Sequence, residues 1–310
     1  MCIRDSSTRV ATRPYQGLSI DFCFTGVSSK DNDRKVDYEG INGETCWILV
    51  TDHFTGMKHG DTRISKGPPL QWLAHFLAQY SPQCGGKYVY LDQGGELFNH
   101  PEVKNLFNKK NYTIHPTGAD NSHQNGPVER AHRTLANTIR ALLTGANLDT
   151  RFWPYAFYHA MRMSNAFPER HKDSSPISLA TGKQEDFTNI RTFGCRVWVR
   201  PPGQRSAKLK PNSRKGIFLG YVPHTTRNIL WYDVETSRIK IATHARFDEG
   251  MNDLPVTDMP PNVSHLLRTD DGNAVPPDVA ELGVSDFAFD IVPFVPLYHC
   301  LLYTTPSPRD

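Results

Sequence analysis

The order in which β-rich and helical runs follow one another is the strongest constraint on the fold of this chain. Apolar residues spaced three and four apart mark the helical runs, whereas short β-branched and aromatic runs mark the strands. The order β-β-β-α-β-α-β-α-α predicts an α/β domain with a mixed five-stranded sheet and flanking helices. We place the strands at residues 17–24, 45–50, 53–64, 87–91 and 112–115, and the helices at 69–80, 96–108, from 125 onwards and at 152–167.

The pattern changes after residue 168. Four short β-rich runs separated by turn residues, at 195–199, 216–222, 228–234 and 238–244, predict a small β-barrel. From residue 251 the chain is rich in Pro and Asp, which predicts a linker without a core of its own. We therefore divide the chain into a leader (1–14), an α/β domain (15–168), a barrel (186–250) and an acidic linker (251–310).

The net charge of +3 conceals a strong asymmetry. Residues 186–248 hold 12 basic and 4 acidic residues, whereas residues 249–299 hold 1 basic and 9 acidic residues. The basic block predicts a polyanionic partner, with a solvated surface as the alternative interpretation. No run of 18 apolar residues occurs, so no membrane span is expected. The six cysteines never form C-x-x-C, which argues against a zinc finger or a disulfide scaffold and suits a reducing compartment.

Both ends of the sequence resemble foreign segments. Residues 1–6 and 300–310 resemble forward and reverse-strand translations of the transposase-end adapter used in sequencing libraries. Such remnants are left out of fold reasoning. We therefore expect the chain to be a fragment read from a longer transcript, with neither end native.

Three acidic residues lie where strands or helices begin or end. Asp21 lies inside an apolar strand, Asp92 ends a strand before two glycines, and Glu129 lies in the first turn of a helix. Each has an ordinary interpretation, because Asp forms turns and Glu complements a helix dipole, although an unpaired carboxylate in an apolar strand is costly. Their joint arrangement favours an oxygen-ligand site for Mg²⁺ or Mn²⁺. Asp52 is a second strand-borne candidate beside Asp21.

Three segments carry a specific resemblance: residues 20–22 (IDF), 91–96 (LDQGGE) and 124–133 (QNGPVERAHR), with 36 residues between Asp92 and Glu129. They resemble the catalytic core of copia-type retrotransposon integrases. The resemblance implies a ribonuclease H-like fold and assigns the catalytic and metal-binding carboxylates to Asp21, Asp92 and Glu129. It also implies two bound Mg²⁺ or Mn²⁺ ions, of the kind that activate an attacking oxygen and stabilise a leaving one.

The second region resembles the SH3-like module that follows this core in copia-type polyproteins, through residues 191–195 (RTFGC), 215–221 (KGIFLGY) and 246–249 (RFDE). Basic side chains there favour phosphate contacts with DNA. Asn125 has two interpretations, a DNA contact or a helix N-cap, and Arg130 has two as well, a DNA contact or a surface charge. Trp198 and Trp231 are interpreted as barrel core rather than stacking platforms. The candidate DNA-binding residues are Asn125, Arg130, Arg133, Arg200, Arg205, Lys208, Lys210, Arg214 and Lys215.

The resemblance implies a DDE-type integrase that processes the 3′ ends of retroelement DNA and joins them to target DNA. It implies DNA and further copies of the chain as partners, no membrane association, and a cytoplasmic particle before entry into the nucleus. Two alternatives remain open: a metal-dependent nuclease of the same fold, and an inactive DNA-binding protein derived from a retroelement. Joined DNA products distinguish the first alternative, and carboxylate-dependent Mn²⁺ binding distinguishes the second.

Overall fold

We describe the protein from a computed structural model. The structure describes residues 10–26, 38–92, 95–117, 122–169, 172–183, 187–200, 212–222, 225 and 227–250, with only the backbone of 122–125. The leader, the acidic linker and both adapter-like ends lie outside these residues, apart from residues 10–14. Among the described helices, none combines the length and the apolar character that crossing a membrane requires.

A mixed five-stranded sheet with the order β3-β2-β1-β4-β5 forms the first half of the structure. β1 and β2 pair antiparallel, as do β2 and β3, whereas β1 pairs parallel with β4 and β4 with β5. The predicted α/β class, with a ribonuclease H-like mixed five-stranded sheet flanked by helices, is confirmed. The strands are β1 (Gly17–Phe24), β2 (Cys46–Asp52), β3 (Lys58–Arg63), β4 (Lys87–Asp92) and β5 (Tyr112–Thr117).

Helices cover both faces of this sheet. α1 and α2 close one core together with Ile48 and Leu91, and α3 and α4 close another together with Trp47 and Leu49. β2 is buried along its whole length because its alternate residues enter the two cores. The helices are α1 (Leu70–Tyr80), α2 (Pro101–Lys109), α3 (Ser122–Gly145), α4 (Trp153–Ala166) and α5 (Pro176–Thr181).

Two predicted helix boundaries are wrong, and proline explains both. α2 begins at Pro101 rather than at residue 96, because Pro is favoured at the first helical position. α3 begins at Ser122, so Asn125 is not its N-cap and Glu129 lies in its second turn. Pro127 lies inside α3, where it lacks the N–H of a helical hydrogen bond and its ring crowds the carbonyl one turn earlier. Gly126 lacks the Cβ that would clash with the proline ring, so the helix continues on its N-terminal side.

A second, antiparallel five-stranded sheet has the order β10-β6-β7-β8-β9. The predicted SH3-like β class is confirmed, but the four predicted runs become five strands. The last run ends early at Ala242, and β10 follows after a short bend. β10 was missed because its pairing partner is β6, which lies far away in sequence. The strands are β6 (Arg196–Val199), β7 (Arg214–Tyr221), β8 (Ile229–Asp233), β9 (Arg238–Ala242) and β10 (Ala245–Asp248).

The two sheets share one hydrophobic core. Ile217 and Tyr232 of the second sheet lie in the same buried cluster as Leu135 of α3 and Phe157 of α4. The Phe152 and Tyr232 rings meet edge to face, with centroids 5.4 Å apart. The second sheet therefore covers apolar surface of α3 and α4 that would otherwise face water. The sequence-based limits of 15–168 and 186–250 remain predictions.

Gly194 lies where the second part of the chain contacts the residues that follow α3. Its φ is +76°, and a Cβ there would lie 2.2 Å from the Cβ of Ala146. We expect Gly194→Ala to lower the free energy of unfolding by about 2–4 kcal/mol, from left-handed strain and overpacking together. Chemical denaturation would measure this loss. Gly145→Ala is the control, because a Cβ there meets nothing within 4 Å, and it should leave stability unchanged or slightly raised. Equal effects of the two substitutions would contradict the prediction.

Candidate active site

The register between β1 and β4 brings two of the predicted carboxylates together. Ile20 of β1 lies opposite Leu91 of β4 in a parallel pair. Asp21 and Asp92 are the next residues on the two strands. They therefore lie side by side at the C-terminal end of the parallel pair, which we call the sheet edge of the site. Both side chains are half-buried. The C-terminal edge of parallel strands is where ligand sites form in open α/β sheets.

Glu129 reaches this edge from α3. The helix packs against β1, β2 and β4, with Val128 and Leu135 fully buried beneath it. The Glu129 side chain is exposed. Its charge nevertheless acts on Asp21, so Asp21, Asp92 and Glu129 form one electrostatic group.

The electrostatics of this group centre on Asp21. Burial raises the pKa of the Asp21 carboxyl from 3.8 to about 6, and the hydrogen bond from the Phe22 N–H opposes that rise. The Asp92 carboxylate raises this pKa further, as does Glu129, whereas the Lys66 ammonium lowers it. Crowded carboxylates of this kind favour a proton or a cation between them.

Asp52, the rival of Asp21, has a different role in the fold. It is 1% exposed and lies opposite Leu18 near the start of β1, away from the edge where Asp92 lies. Its Oδ1 accepts from the Tyr15 N–H at 2.8 Å, and its Oδ2 accepts from the N–H and Oγ1 of Thr55 at 3.0 and 2.6 Å. These bonds fix the turn after β2, so Asp52 has a structural explanation that Asp21 lacks.

The donor chemistry of the three carboxylates fits a hard divalent cation. Mg²⁺ and Mn²⁺ prefer oxygen ligands, and the charges of Asp92 and Glu129 both act on the buried Asp21 carboxyl. Among the described residues, no three acidic, His or Cys side chains lie close enough together to hold a metal ion. The exposed Glu129 side chain would therefore have to turn towards Asp21 and Asp92 to complete a set of three.

His132 follows Glu129 by three residues on α3 and faces the same site. Its Nδ1 accepts a hydrogen bond from Trp47 Nε1 at 3.0 Å, and its Nε2 lies 3.9 Å from Asp21 Oδ2. Burial lowers the pKa of His132 from 6.5 to about 4, which the main chain of Asp21 opposes, so the ring is neutral at physiological pH. The sequence analysis missed His132 because its partner Trp47 lies on a different element.

Lys66 was also missed, because it lies in the loop between β3 and α1. It forms an ion pair with Glu96, which belongs to the LDQGGE segment, and its ammonium lies 5.5 Å from the centre of the Phe24 ring. Its charge lowers the pKa of Asp21. Lys66 therefore supplies positive charge at the edge of the carboxylate group.

The predicted DNA-binding residues fall into three groups. Arg130 and Arg133 on α3 and Arg200 after β6 are exposed, as a DNA contact requires. Arg214 is held by the buried Asp233 at 3.2 Å and by Glu235 at 3.6 Å, whereas its neighbour Lys215 has no ion pair within the described part of the chain. The Arg205, Lys208 and Lys210 predictions, and the side chain of Asn125, lie outside the described residues.

The two tryptophans of the second sheet have opposite environments. Trp231 is 2% exposed and belongs to the core, as predicted. Trp198 is 39% exposed, so its assignment to the core is wrong. The alternation of side chains along β6 explains the error. Val197 and Val199 point inwards, so Trp198 between them points outwards. Trp198 is paired with the half-buried Lys215 on one side and the exposed Arg246 on the other, which forms an aromatic and basic strip on the outer face of the sheet.

Comparison with known proteins identifies relatives along most of the chain. The Pol polyprotein of transposon RE1 from Arabidopsis thaliana is 30% identical over 249 residues, or 79% of this chain. That of transposon RE2 from the same plant is 28% identical over 86% of the chain. The homologues of this chain are copia-type Pol polyproteins. The polyprotein of transposon TNT 1-94 from Nicotiana tabacum adds a third, 27% identical over 71% of the chain. The chain spans only 16–18% of the length of these polyproteins.

Two further comparisons are with a family model and with a solved structure. The family described as retroviral polymerase SH3-like domain matches residues 195–260, which include all five strands of the second sheet. A solved structure, the simian T-cell lymphotropic virus intasome in complex with PP2A regulatory subunit B56 gamma, is 14% identical. It has a TM-score of 0.42 and covers 76% of this chain and 78% of that one.

The raised pKa of Asp21 predicts how the stability of an Asp21 variant changes with pH. Because the folded pKa is raised from 3.8 to about 6, the cost of ionising Asp21 is absent below 3.8 and complete above 6. In EDTA at pH 8, Asp21→Asn should therefore stabilise the protein by on the order of 2–3 kcal/mol, and the gain should shrink as the pH falls to 4. Thermal melts at several pH values would measure it.

The control for that measurement is Asp52→Ala. It removes the acceptor of two backbone N–H groups and of the Thr55 hydroxyl, so it should lower the melting temperature at every pH. A loss of stability in Asp21→Asn at pH 8 would show that Asp21 is a structural residue like Asp52.

Proposed function

We propose that this chain is the catalytic part of a DDE-type integrase, a polynucleotidyl transferase that processes and joins retroelement DNA ends. The observation that carries the proposal is the pairing of β1 with β4, which brings Asp21 and Asp92 to one sheet edge under the helix of Glu129. The homology to Pol polyproteins supports the same function, since integration is a step in the life of such elements.

In this proposal, Asp21, Asp92 and Glu129 hold two Mg²⁺ or Mn²⁺ ions. Such ions activate an attacking oxygen and stabilise the leaving oxygen. The chain itself contributes the charge and the placement: Asp21 and Asp92 are held by strands, and Glu129 is held by a helix that packs on those strands. Lys66 lies at the rim, where its ammonium can meet a DNA phosphate near the carboxylates.

DNA would be held by two exposed surfaces. One consists of Arg130 and Arg133, which follow Glu129 on α3. The other is the strip of Trp198, Lys215 and Arg246 on the second sheet. Because both parts share a core, these surfaces are carried on one body with the carboxylates. Contacts to phosphates from such side chains bind DNA without a strong sequence preference. Further copies of the chain and a nuclear site of action belong to the same proposal.

Strand transfer by the full chain tests the catalytic part. With Mn²⁺, a labelled DNA end and a target plasmid, we expect joined products, and we expect Asp92→Asn and Glu129→Gln each to reduce the rate by more than about 100-fold. Glu102→Gln is the matched control, since Glu102 is also exposed on a helix but lies on α2. Loss of activity in the control as well would show that the reduction is not specific to the site.

The products of this assay also separate the alternatives. Cleaved but unjoined DNA would indicate a metal-dependent nuclease of the same fold. DNA binding without cleavage, together with no Mn²⁺ binding that depends on Asp92, would indicate an inactive DNA-binding protein.

The salt dependence of DNA binding tests the basic strip. Lys215 and Arg214 are neighbours on β7, but only Arg214 is held by Asp233. Lys215→Gln should therefore weaken duplex binding and lower the slope of log affinity against log salt by about 0.9. Arg214→Gln should leave the slope unchanged but lower the melting temperature, because Asp233 loses a cationic partner. Fluorescence anisotropy at several salt concentrations gives the slopes. The same slope for Lys215→Gln and the unsubstituted chain would remove the strip from the DNA interface.

A further inference from the structure

The hydrogen bond between Trp47 and His132 fixes which nitrogen of the imidazole carries the proton. Trp47 Nε1 is 3.0 Å from His132 Nδ1. An indole N–H can only donate, so Nδ1 must be the acceptor and carries no proton. In the neutral ring the proton is therefore on Nε2. The tautomer follows from the geometry of two side chains.

Packing in the core fixes the orientation of the Trp47 ring and therefore the position of its N–H. It is 4% exposed, and its ring lies 5.5 Å from the Trp153 ring and 5.6 Å from the Phe157 ring, measured between centroids. A ring packed on two aromatic side chains cannot turn its N–H elsewhere without opening this core. The orientation of His132 is therefore set by the core of the domain.

The protonated nitrogen of His132 points at the site and lacks a well-formed hydrogen bond. Within the described residues, Nε2 is buried and makes no well-formed hydrogen bond, although the Asp21 main chain lies near enough to the ring to raise its pKa. It lies 3.9 Å from Asp21 Oδ2, which is too long for a hydrogen bond and leaves no room for a bridging water. Buried N–H groups are almost always paired, so this donor calls for an acceptor.

Asp21 offers that acceptor. Its Oδ1 already accepts from the Phe22 N–H at 2.8 Å, and its Oδ2 faces His132. Each carboxylate oxygen can accept two bonds, so both oxygens keep a lone pair for a cation even when both are hydrogen-bonded. Two donors from different elements would hold the plane of the carboxylate in one orientation.

We propose that His132 is a positioning residue for Asp21: its Nε2–H, fixed in place by Trp47, donates to Asp21 Oδ2 when Asp21 binds a divalent cation. This inference rests on the proposed function. The gap of 3.9 Å closes by a small rotation of the carboxyl group, and contacts of this kind tighten when a site is loaded. His132 is not a metal ligand, because Nδ1 is occupied by Trp47 and Nε2 carries the proton.

α3 carries both Glu129 and His132. Glu129 and His132 are three residues apart and therefore lie on the same side of the helix. One turn of α3 thus presents an exposed carboxylate to the cation and a buried N–H to the carboxylate on β1. Any movement of α3 would change both at once.

Two measurements on the full chain test the inference, with Mn²⁺ and Mg²⁺ alone as probes. The first is the Mn²⁺ dissociation constant of the double variant Trp47→Phe/His132→Phe, which removes donor and acceptor together and keeps an aromatic ring at both positions. Removing both partners of a hydrogen bond costs little stability by itself, whereas loss of an outer-shell partner weakens metal binding by about 10–100-fold. We expect a folded variant whose melting temperature is lower, because Phe is smaller than the buried Trp47, and whose Mn²⁺ binding is at least tenfold weaker. His132→Gln, which keeps a terminal N–H donor, should recover part of the affinity.

The second measurement needs no substitution and holds even where the double variant fails to fold. Nitrogen-15 NMR of the imidazole rings should show His132 as the Nε2–H tautomer, with this proton moving downfield on addition of Mg²⁺ as the hydrogen bond forms. A purely structural histidine would show no such response. Wild-type affinity in the folded double variant, or a His132 signal that Mg²⁺ does not move, would overturn the inference.

Asp92→Asn separates this inference from the proposed function. If the unsubstituted chain binds Mn²⁺ and Asp92→Asn does not, the carboxylate site stands, and the His132 results decide the inference alone. If Asp92→Asn binds Mn²⁺ as the unsubstituted chain does, the proposed site is wrong, and the inference falls with it.

Discussion

The parallel pairing of β1 with β4 is the interaction on which the rest of the site depends. β1 lies in the middle of the sheet, between an antiparallel partner and a parallel one. Its register sets Ile20 against Leu91 and thereby brings Asp21 and Asp92 to the same edge. A slip of one residue would turn one carboxylate to the opposite face of the sheet. The apolar residues that β1 and β4 turn towards α1 and α2 oppose that slip, because they would leave their core.

α3 connects the first sheet with the second, because it packs against both. Its buried side packs on β1 and β2, and the same apolar cluster contains Ile217 and Tyr232. Removal of the second sheet would therefore expose part of the surface that holds α3, and with it Glu129 and His132. The sequence indicated two separate regions, because a change in strand spacing is visible locally. It could not indicate their shared core, since that depends on contacts between residues far apart in the chain.

The sequence predicted the elements well where local pattern decides them. The strand Gly17–Phe24 was predicted to the residue, and α1 to within one residue. Predictions failed where the outcome depends on a distant partner or on backbone detail. The exposure of Trp198 was within reach of the sequence, because Val197 and Val199 alternate with it. The start of α3 was not, because Pro127 is compatible both with a first turn and with a position further inside a helix.

The residue pattern alone leaves Asp21 and Asp52 as rivals, the family resemblance favours Asp21, and the hydrogen bonds of the two side chains differ. Both are aspartates on apolar strands, but Asp52 has acceptor bonds on both oxygens from its own turn and from Tyr15. Burial raises the pKa of both carboxyls, but Asp21 has only one such bond and faces a buried N–H that stops short of it. Unfavourable features of this kind persist at sites whose ligand relieves them. A divalent cation would stabilise the ionised carboxylate of Asp21, and the ionised carboxylate is the form that His132 can hold. The fold thus satisfies both carboxylate oxygens at position 52, whereas at position 21 the proposed cation would supply the missing partner.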